Sequence, residues 1–161
     1  MRAMEELVAA GKIRYIGVSN FDVKQMKQAQ KALNRERIVC NQVLYHLRSR
    51  ALENRVLPYC ESQNIAVVGY SPFGKGNFPS PATNQGKTLQ TIAQRHGKTP
   101  RQVALNFLTR FPSLFTIPKA SNLEHARENA GGTGWKLTEE DLKLIDSAFP
   151  PPDKNEELDM L

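Results

Sequence analysis

Cysteine and long apolar runs are scarce in this chain of 161 residues. Its two cysteines, Cys40 and Cys60, both stand in apolar segments, which favours two small buried side chains over a disulfide. No segment approaches the run of about 18 apolar residues that spans a membrane. The first residues also have no apolar stretch of the kind found in secretion signals. We therefore expect a cytoplasmic protein with no membrane segment.

Histidine is scarce too, and the basic residues form no concentrated strip. The three histidines, His46, His96 and His125, lie in different predicted elements, so none form a pair at metal-ligand spacing. The net charge of +6 raises the hypothesis of a nucleic-acid partner. However, the basic residues are spread over several helices, and no aromatic residues are interleaved with them. The sequence predicts neither a metal site nor nucleic-acid binding.

Four apolar runs predict parallel strands, with helical patterns between them. The runs cover residues 13–18, 38–43, 65–69 and 114–117. A cluster of polar residues follows or ends each run. Because the carboxyl ends of parallel strands meet at one edge of a sheet, where α/β proteins bind ligands, the pattern predicts one side of a small-molecule site.

Helix boundaries follow from capping residues and glycines. The predicted N-terminal caps are Asp22, Thr99, Ser121 and Thr138. Further helical patterns cover residues 52–63 and 88–95, and a loop rich in Gly, Pro, Ser and Asn covers 74–86. Loops of this length are often functional. Prolines 150–152 stop the last helix, and we expect the acidic tail 153–161 to be mobile.

Four sequence strings carry a resemblance to a known family. They are GKIRYIGVSNF, NQVLYH, GYSPFGKG and IPKASNLEHARENA. In this order they resemble the second half of an aldo-keto reductase, a (β/α)8 barrel that reduces aldehydes and ketones with NADPH or NADH. The resemblance implies an α/β fold with strands five to eight of such a barrel. It also implies one C-terminal half-barrel over residues 1–161, with the end of a helix at 1–10, β/α units at 11–149 and a tail at 150–161. A complete barrel needs about 250 residues, so only about half is present.

The resemblance assigns cofactor contacts to the strand ends. Ser19, Asn20 and Gln42 would hold the nicotinamide carboxamide, and Tyr70 would stack on the ring. The residues implied at the pyrophosphate are Ser71, Phe73, Gly74 and Lys75. Those implied at the adenosine end are Lys119, Ser121, His125, Glu128 and Asn129. For Ser19 and Asn20, the alternative is that they simply cap the following helix.

The cofactor implied is NADP(H), with NAD(H) possible. Lys119 is suited to a 2′-phosphate, but His125 stands where many members of the family have an arginine. Histidine is mostly uncharged at neutral pH. The preference for the phosphorylated cofactor therefore depends mainly on Lys119.

The family's catalytic Asp, Tyr, Lys and His lie on its first four strands, and no residue here matches them. We interpret Tyr45 and His46 as walls of the barrel mouth rather than an acid–base pair. The chain would then hold the cofactor side of the reaction, while the intact enzyme would act on a small carbonyl substrate. The alternative is a noncatalytic half-barrel module that binds a dinucleotide or only assembles.

Half of a barrel has two open strand edges and an apolar face made for the other half. The expected partner is therefore a missing N-terminal half or a second copy of the chain. Self-association is the default expectation: the sequence predicts a homodimer or larger species, with residues such as Val39 and Val67 in the shared interior.

Overall fold

The computed structural model describes residues 1–153 and 157–159, and within these residues four parallel strands form one sheet in the order β1-β2-β3-β4. The strands are Ile16–Ser19 (β1), Ile38–Leu44 (β2), Ala66–Tyr70 (β3) and Leu114–Ile117 (β4). Each strand pairs in parallel with the next, so all four carboxyl ends lie at one edge. The predicted alternation of strands and helices is confirmed.

Helices connect the strands and flank the sheet. They are Arg2–Ala9 (α1), Val23–Lys31 (α2), Val56–Ser62 (α3), Asn84–His96 (α4), Pro100–Leu108 (α5), Leu123–Ala130 (α6) and Glu139–Ala148 (α7). The predicted caps Asp22, Thr99 and Thr138 are confirmed, since each side chain accepts a hydrogen bond from the backbone N–H three residues on. These caps depend only on neighbours along the chain, which is why the sequence predicts them well.

Three predicted boundaries differ from the structure. β1 begins at Ile16, because Ile16 pairs with the first residue of β2 and residues 13–15 have no strand beside them. The helix predicted at 52–63 is divided into a 3₁₀ turn, Ala51–Glu53, and α3. α6 is capped by Asn122 rather than Ser121: the Asn122 side chain accepts from the His125 N–H at 2.8 Å.

α4 begins four residues earlier than predicted, so the loop before it is shorter. The Thr83 hydroxyl oxygen accepts from the Gly86 N–H at 3.0 Å and forms the cap. A Cβ at Gly86 would lie only 2.0 Å from the Ser80 carbonyl oxygen, so glycine permits the loop to pack directly on the first turn of the helix. Gly86, which suggested a loop in the sequence, instead lies in the first turn of α4 and allows the Ser80 backbone to pack closely against it.

The hydrophobic core lies between the helices and one face of the sheet, called here the covered face. The strand residues Asn41, Val67 and Leu114 are side by side in register and at most 3% exposed. Buried side chains of α2, α3, α4, α5 and α7 complete the same cluster. Together they form the one-sided core expected of helices packed outside a parallel sheet.

On the opposite face of the sheet, called here the open face, no helix of residues 1–153 or 157–159 packs. Gln42, Val68 and Phe115 lie side by side on it, and Phe115 is 55% exposed. The prediction that Val67 faces a shared interior is therefore wrong. Val67 has no exposed surface and lies on the covered face, because adjacent residues of a strand point to opposite faces. Val39 remains partly exposed.

The two cysteines differ in exposure. Cys60 is fully buried in α3, and burial raises the pKa of its thiol to about 12. Cys40 is only partly buried, and a Cβ at its register neighbour Gly17 would lie 2.5 Å from the Cys40 sulfur. The prediction of two buried thiols thus holds for Cys60 alone.

The tail contacts the loop that follows β2 at two points. The Asn54 side chain donates to the Asp153 carbonyl oxygen at 2.6 Å, and the Ser49 hydroxyl donates to the Asp159 carboxylate at 2.5 Å. Residues 154–156 and 160–161 of the predicted mobile tail lie outside the described residues. Among the described residues, no helix combines the length and apolar character that a membrane span requires.

Candidate cofactor site

Three of the predicted nicotinamide contacts are neighbours at the carboxyl edge of the sheet. The Ser19 hydroxyl and the Asn20 N–H both donate to the Gln42 carbonyl oxygen, at 2.9 and 2.8 Å. The Gln42 residue is exposed, and no hydrogen bond within 1–153 and 157–159 occupies its side-chain amide. Neither Ser19 nor Asn20 caps α2, since Asp22 does so. The alternative interpretation as simple helix caps is therefore wrong.

Tyr70 joins this group from the end of β3. Its hydroxyl donates to the Asn20 side-chain oxygen at 3.2 Å, across the width of β2. The bond fixes the orientation of the Asn20 carboxamide and ties the ends of two non-adjacent strands. Because Tyr70 is only partly buried, its ring remains accessible beside these amides.

Unusual backbone conformations concentrate at the same edge. Asn20, Ser71 and Lys75 have φ angles of 57°, 53° and 50°, in the left-handed region that residues with a side chain rarely adopt. Each such conformation costs about 1–3 kcal/mol and is often found at ligand sites. A further case, Asn64 with φ 55°, lies in the turn before β3, and asparagine tolerates this region.

The predicted pyrophosphate contacts share one turn, called here the β3 loop (residues 71–78). The Gly74 N–H donates to the Ser71 carbonyl oxygen at 2.9 Å, and the Asn77 N–H donates to the Gly74 carbonyl oxygen at 3.0 Å. These bonds fold the loop back on itself and leave Lys75 exposed at its tip. The loop thus combines a compact backbone with a positive charge.

The predicted adenosine contacts lie around the start of α6. Asn129 donates to the Lys119 carbonyl oxygen at 3.5 Å, and the Ser121 hydroxyl lies 3.4 Å from Nδ1 of His125. Glu128 is engaged elsewhere: its carboxylate accepts from the Thr99 hydroxyl at 3.0 Å. Four of the five predicted residues therefore form two contacting pairs, whereas the Glu128 carboxylate is directed toward the start of α5.

Tyr45 is not a wall of the barrel mouth. It is completely buried on the covered face, where its hydroxyl donates to Glu53 at 2.6 Å and accepts from Arg110 at 2.7 Å. A Cβ at Gly69 would lie 3.0 Å from the Tyr45 Cβ, so the absence of a side chain there makes room for it. Burial raises the pKa of Tyr45 above its ordinary value. This environment opposes ionisation and separates Tyr45 from the open face.

His46 is partly exposed and does not pair with Tyr45. Its Nδ1 accepts from the Arg48 N–H at 3.2 Å, and its main chain bridges to Ser49. Burial lowers the pKa of His46 below its ordinary value. The histidine thus belongs to the turn after β2.

A buried ionic network that the sequence did not predict joins the segment after β2 to residues near the ends of α5 and α7. Arg50, only 5% exposed, binds Glu53 at 2.9 Å and Asp146 at 2.8 Å, and Arg110 binds Glu53 at 2.9 Å. Arg50 also donates to the Phe149 carbonyl oxygen at 2.7 Å. Only the Arg50–Glu53 pair is local; Asp146 lies 96 residues from Arg50, so no local pattern predicts that bond. The network fixes the loop after β2, next to the cofactor site.

Comparisons with known proteins agree with this architecture. Residues 1–149 match the Aldo/keto reductase family. A methylglyoxal reductase, YeaE of Escherichia coli K12, is 35% identical over 99% of this chain and 56% of its own length. The NAD(P)H-dependent D-xylose reductase xyl1 of Aspergillus niger is 32% identical over 89% of this chain and 46% of its own length.

A solved structure shares the fold. The aldo-keto reductase from Klebsiella pneumoniae in complex with NADPH superposes with a TM-score of 0.90, at 37% identity, over 99% of this chain and 56% of that one. The chain therefore spans about half the length of the relatives it matches. The four parallel strands with their helices form half of the (β/α)8 barrel type. On this evidence the chain belongs to the aldo/keto reductase family.

Proposed function

We propose that this chain is the cofactor-binding, C-terminal half of an NAD(P)H-dependent oxidoreductase that reduces carbonyl groups of aldehydes or ketones. One observation carries the proposal: the hydrogen-bonded group of Ser19, Asn20, Gln42 and Tyr70 at the carboxyl edge of the sheet. The family of the chain and the NADPH-bound relative support it.

The polar groups of this cluster fit a carboxamide. A carboxamide needs one acceptor and one donor, and the Gln42 amide offers both on the open face. The partly exposed Tyr70 ring offers a flat surface for stacking on a planar heterocycle. The chemistry that a reduced nicotinamide supplies when bound is hydride transfer to a carbonyl carbon. The role of these residues is to hold that ring and select the face it presents.

The phosphate-bearing part of the cofactor fits the positive charges of the rim. Lys75 in the β3 loop and Lys119 after β4 are both exposed. An ammonium group attracts phosphate as a point charge, and backbone N–H groups in tight turns add further donors. We assign the 2′-phosphate to Lys119, Ser121 and His125, and therefore NADP(H) over NAD(H) as the preferred cofactor.

The proton for the carbonyl oxygen comes, in this proposal, from residues of a complementary N-terminal half. Tyr45 is unsuited to the role because Glu53 and Arg110 already occupy its hydroxyl on the covered face. The small carbonyl substrate would bind between the two halves. We also propose a cytoplasmic location, where NADPH is available.

Calorimetric titration of the chain with NADPH tests the proposal. We expect weak but measurable binding, because half of the cavity wall is absent and the site is less preorganised. Gln42→Ala should lower the affinities for NADPH and NADH alike, whereas Lys119→Ala should lower the affinity for NADPH more than that for NADH. Lys143→Ala, which removes an exposed lysine of α7, is the matched control. No heat and no thermal shift at about millimolar cofactor would contradict the proposal.

A second candidate function is a noncatalytic module that pairs with its own copy. The observation that favours it is the open face, where Phe115 is 55% and Ile117 is 48% exposed. Large apolar side chains grouped on an open sheet mark interaction surfaces. Light scattering at micromolar concentration should then report a dimer that Phe115→Ser dissociates. A compact monomer would exclude this second function.

A further inference from the structure

An arginine of α5 packs against two rings of the β3 loop. The Arg101 guanidinium carbon lies 4.7 Å from the centre of the Phe73 ring and 5.3 Å from that of Phe78. The two rings meet edge to face at 5.8 Å. A guanidinium attracts the faces of aromatic rings within about 6 Å. One side chain thus contacts both ends of the segment 73–78.

The backbone between these two rings is the most unusual in the site. Gly74, Lys75 and Gly76 have successive φ angles of 68°, 50° and 91°. Glycine adopts this region freely, but in Lys75, which has a side chain, the left-handed conformation persists only where surrounding contacts hold it. The N–H groups of Lys75 and Gly76 form no hydrogen bond with any described residue. A turn with unpaired N–H groups is suited to an anion.

A second arginine holds the far end of the same loop. Arg48 donates to the Asn77 carbonyl oxygen at 2.8 Å and to the Gln85 side-chain oxygen at 2.7 Å. These bonds fix the point where the loop turns toward α4. These Arg48 bonds do not reach Phe73. At that end of the loop, just before Gly74 and Lys75, the contact comes from Arg101 of α5.

We propose that Arg101 is a positioning residue for the pyrophosphate of the cofactor. By packing on Phe73 and Phe78 it keeps residues 74–76 in the conformation that presents their N–H groups to phosphate. The inference rests on the proposed cofactor function and deepens it. Arg101 acts through the two rings and need not touch the ligand.

The test compares two ligands that share only the adenosine end. NADPH has a pyrophosphate, whereas adenosine 2′-monophosphate has only the phosphate assigned to Lys119. Arg101→Ala should lower the affinity for NADPH about fivefold, the effect of losing cation–π contacts with two rings at an exposed site. The affinity for adenosine 2′-monophosphate should stay within about twofold of that of the unmodified chain. Arg101→Lys should give an intermediate loss, because an ammonium lacks the planar stacking surface.

The matched control removes a similar contact three residues earlier. Lys98 lies 5.8 Å from the centre of the Trp135 ring and has no contact with the β3 loop among the described interactions. Lys98→Ala should leave the affinity of both ligands within about twofold. Equal weakening of both ligands by Arg101→Ala would overturn the inference, as would full affinity in Arg101→Lys, which would indicate attraction by charge alone.

Hydrogen exchange without cofactor provides an independent readout. The hydrogen-bonded backbone amides of the loop, Gly74 and Asn77, should exchange faster in Arg101→Ala than in the unmodified chain, and Lys98→Ala should not change their exchange. Unchanged exchange in Arg101→Ala overturns the inference. If the unmodified chain binds neither ligand, the cofactor function itself fails. If the unmodified chain binds both ligands and Arg101→Ala binds each with the same affinity as the unmodified chain, only the positioning role fails.

Discussion

The covered and open faces of the sheet are built from the same strands but differ in completeness. Val67 and Val68 are adjacent in β3, yet Val67 is fully buried among helices whereas Val68 is only partly buried on the open face. Within the described residues, no buried side-chain nitrogen or oxygen is left without a hydrogen-bond partner. The exposed Gln42 amide, in contrast, has no partner there.

The covered face therefore stabilises the fold, whereas the edge of the open face is available to bind a ligand. On the covered face, Tyr45, Glu53 and Arg110 satisfy one another and hold the loops in place. At the carboxyl edge of the open face, Gln42 and Lys119 retain capacity for new hydrogen bonds and ion pairs. A ligand can therefore bind at the open edge without disrupting the core.

The largest expected effect concerns catalysis. The isolated chain should show no carbonyl reduction above background, and adding the N-terminal half of a family member should restore it, because loss of a proton donor alone costs about 10²- to 10⁴-fold. The loss of reduced-nicotinamide absorbance, with a panel of aldehydes and ketones, measures the rate. Tyr45→Phe should leave the restored rate unchanged. Turnover by the isolated chain that disappears in Tyr45→Phe would place chemistry on the covered face.

Breaking the buried network should be the largest perturbation of stability. Glu53→Ala leaves Arg50 buried without a main partner, and loss of one member of a buried ion pair costs about 3–5 kcal/mol. Denaturant unfolding measures the loss. Glu6→Ala, at an exposed site on α1, is the control and should have little effect. Similar losses in the two variants would show that the network adds no stability.

The two adjacent valines provide a direct comparison of the faces. Val67→Ala should reduce the free energy of unfolding by about 2 kcal/mol, from lost burial and the cavity left behind. Val68→Ala should cost less than about 1 kcal/mol, since its side chain is already partly exposed. The same denaturant experiment measures both. Equal costs would indicate that another molecule covers the open face, and a repeat at lower protein concentration would reveal it.

The smallest effect is a pH dependence of the covered face. Burial favours a higher pKa for Glu53, but hydrogen bonds from Arg50 and Tyr45 and the charge of Arg110 hold the pKa below its ordinary value of 4.5. Its contribution to stability is therefore complete above pH 4.5 and is lost as pH falls through the lowered pKa. The difference in unfolding free energy between the unmodified chain and Glu53→Gln should narrow over that acid range. A constant difference would contradict the assignment.

Local patterns predicted the elements well, but contacts at a distance set several of their limits. The caps Asp22, Thr99 and Thr138 involve residues three apart, so the sequence contains their whole cause. The start of β1 depends instead on where β2 begins. Likewise, Gly86 suggested a loop, whereas the close approach of Ser80 requires glycine in the first turn of α4.

The proximity of several predicted site residues follows from their positions along the chain. Ser19 ends β1, Asn20 follows it and Tyr70 ends β3, while Gln42 lies within β2 beside Ser19. Because these strands run parallel, the sheet brings the four residues to one edge. Their assigned roles toward a cofactor stay a prediction. Tyr45 was misplaced because its face depends on the register and on the room left by Gly69, which no local pattern reveals.

By itself, the sequence determined the order of strands and helices, most of the caps and the membership of the polar edge, because these depend on side-chain spacing and on the parallel course of the strands. The tertiary structure decided which side chains face the helices, which charges pair beneath the sheet and how Arg101 meets the β3 loop. These features join residues far apart along the chain, such as Tyr45 and Arg110, 65 positions apart. Their geometry exists only once the packed helices exclude water and bring the partners together.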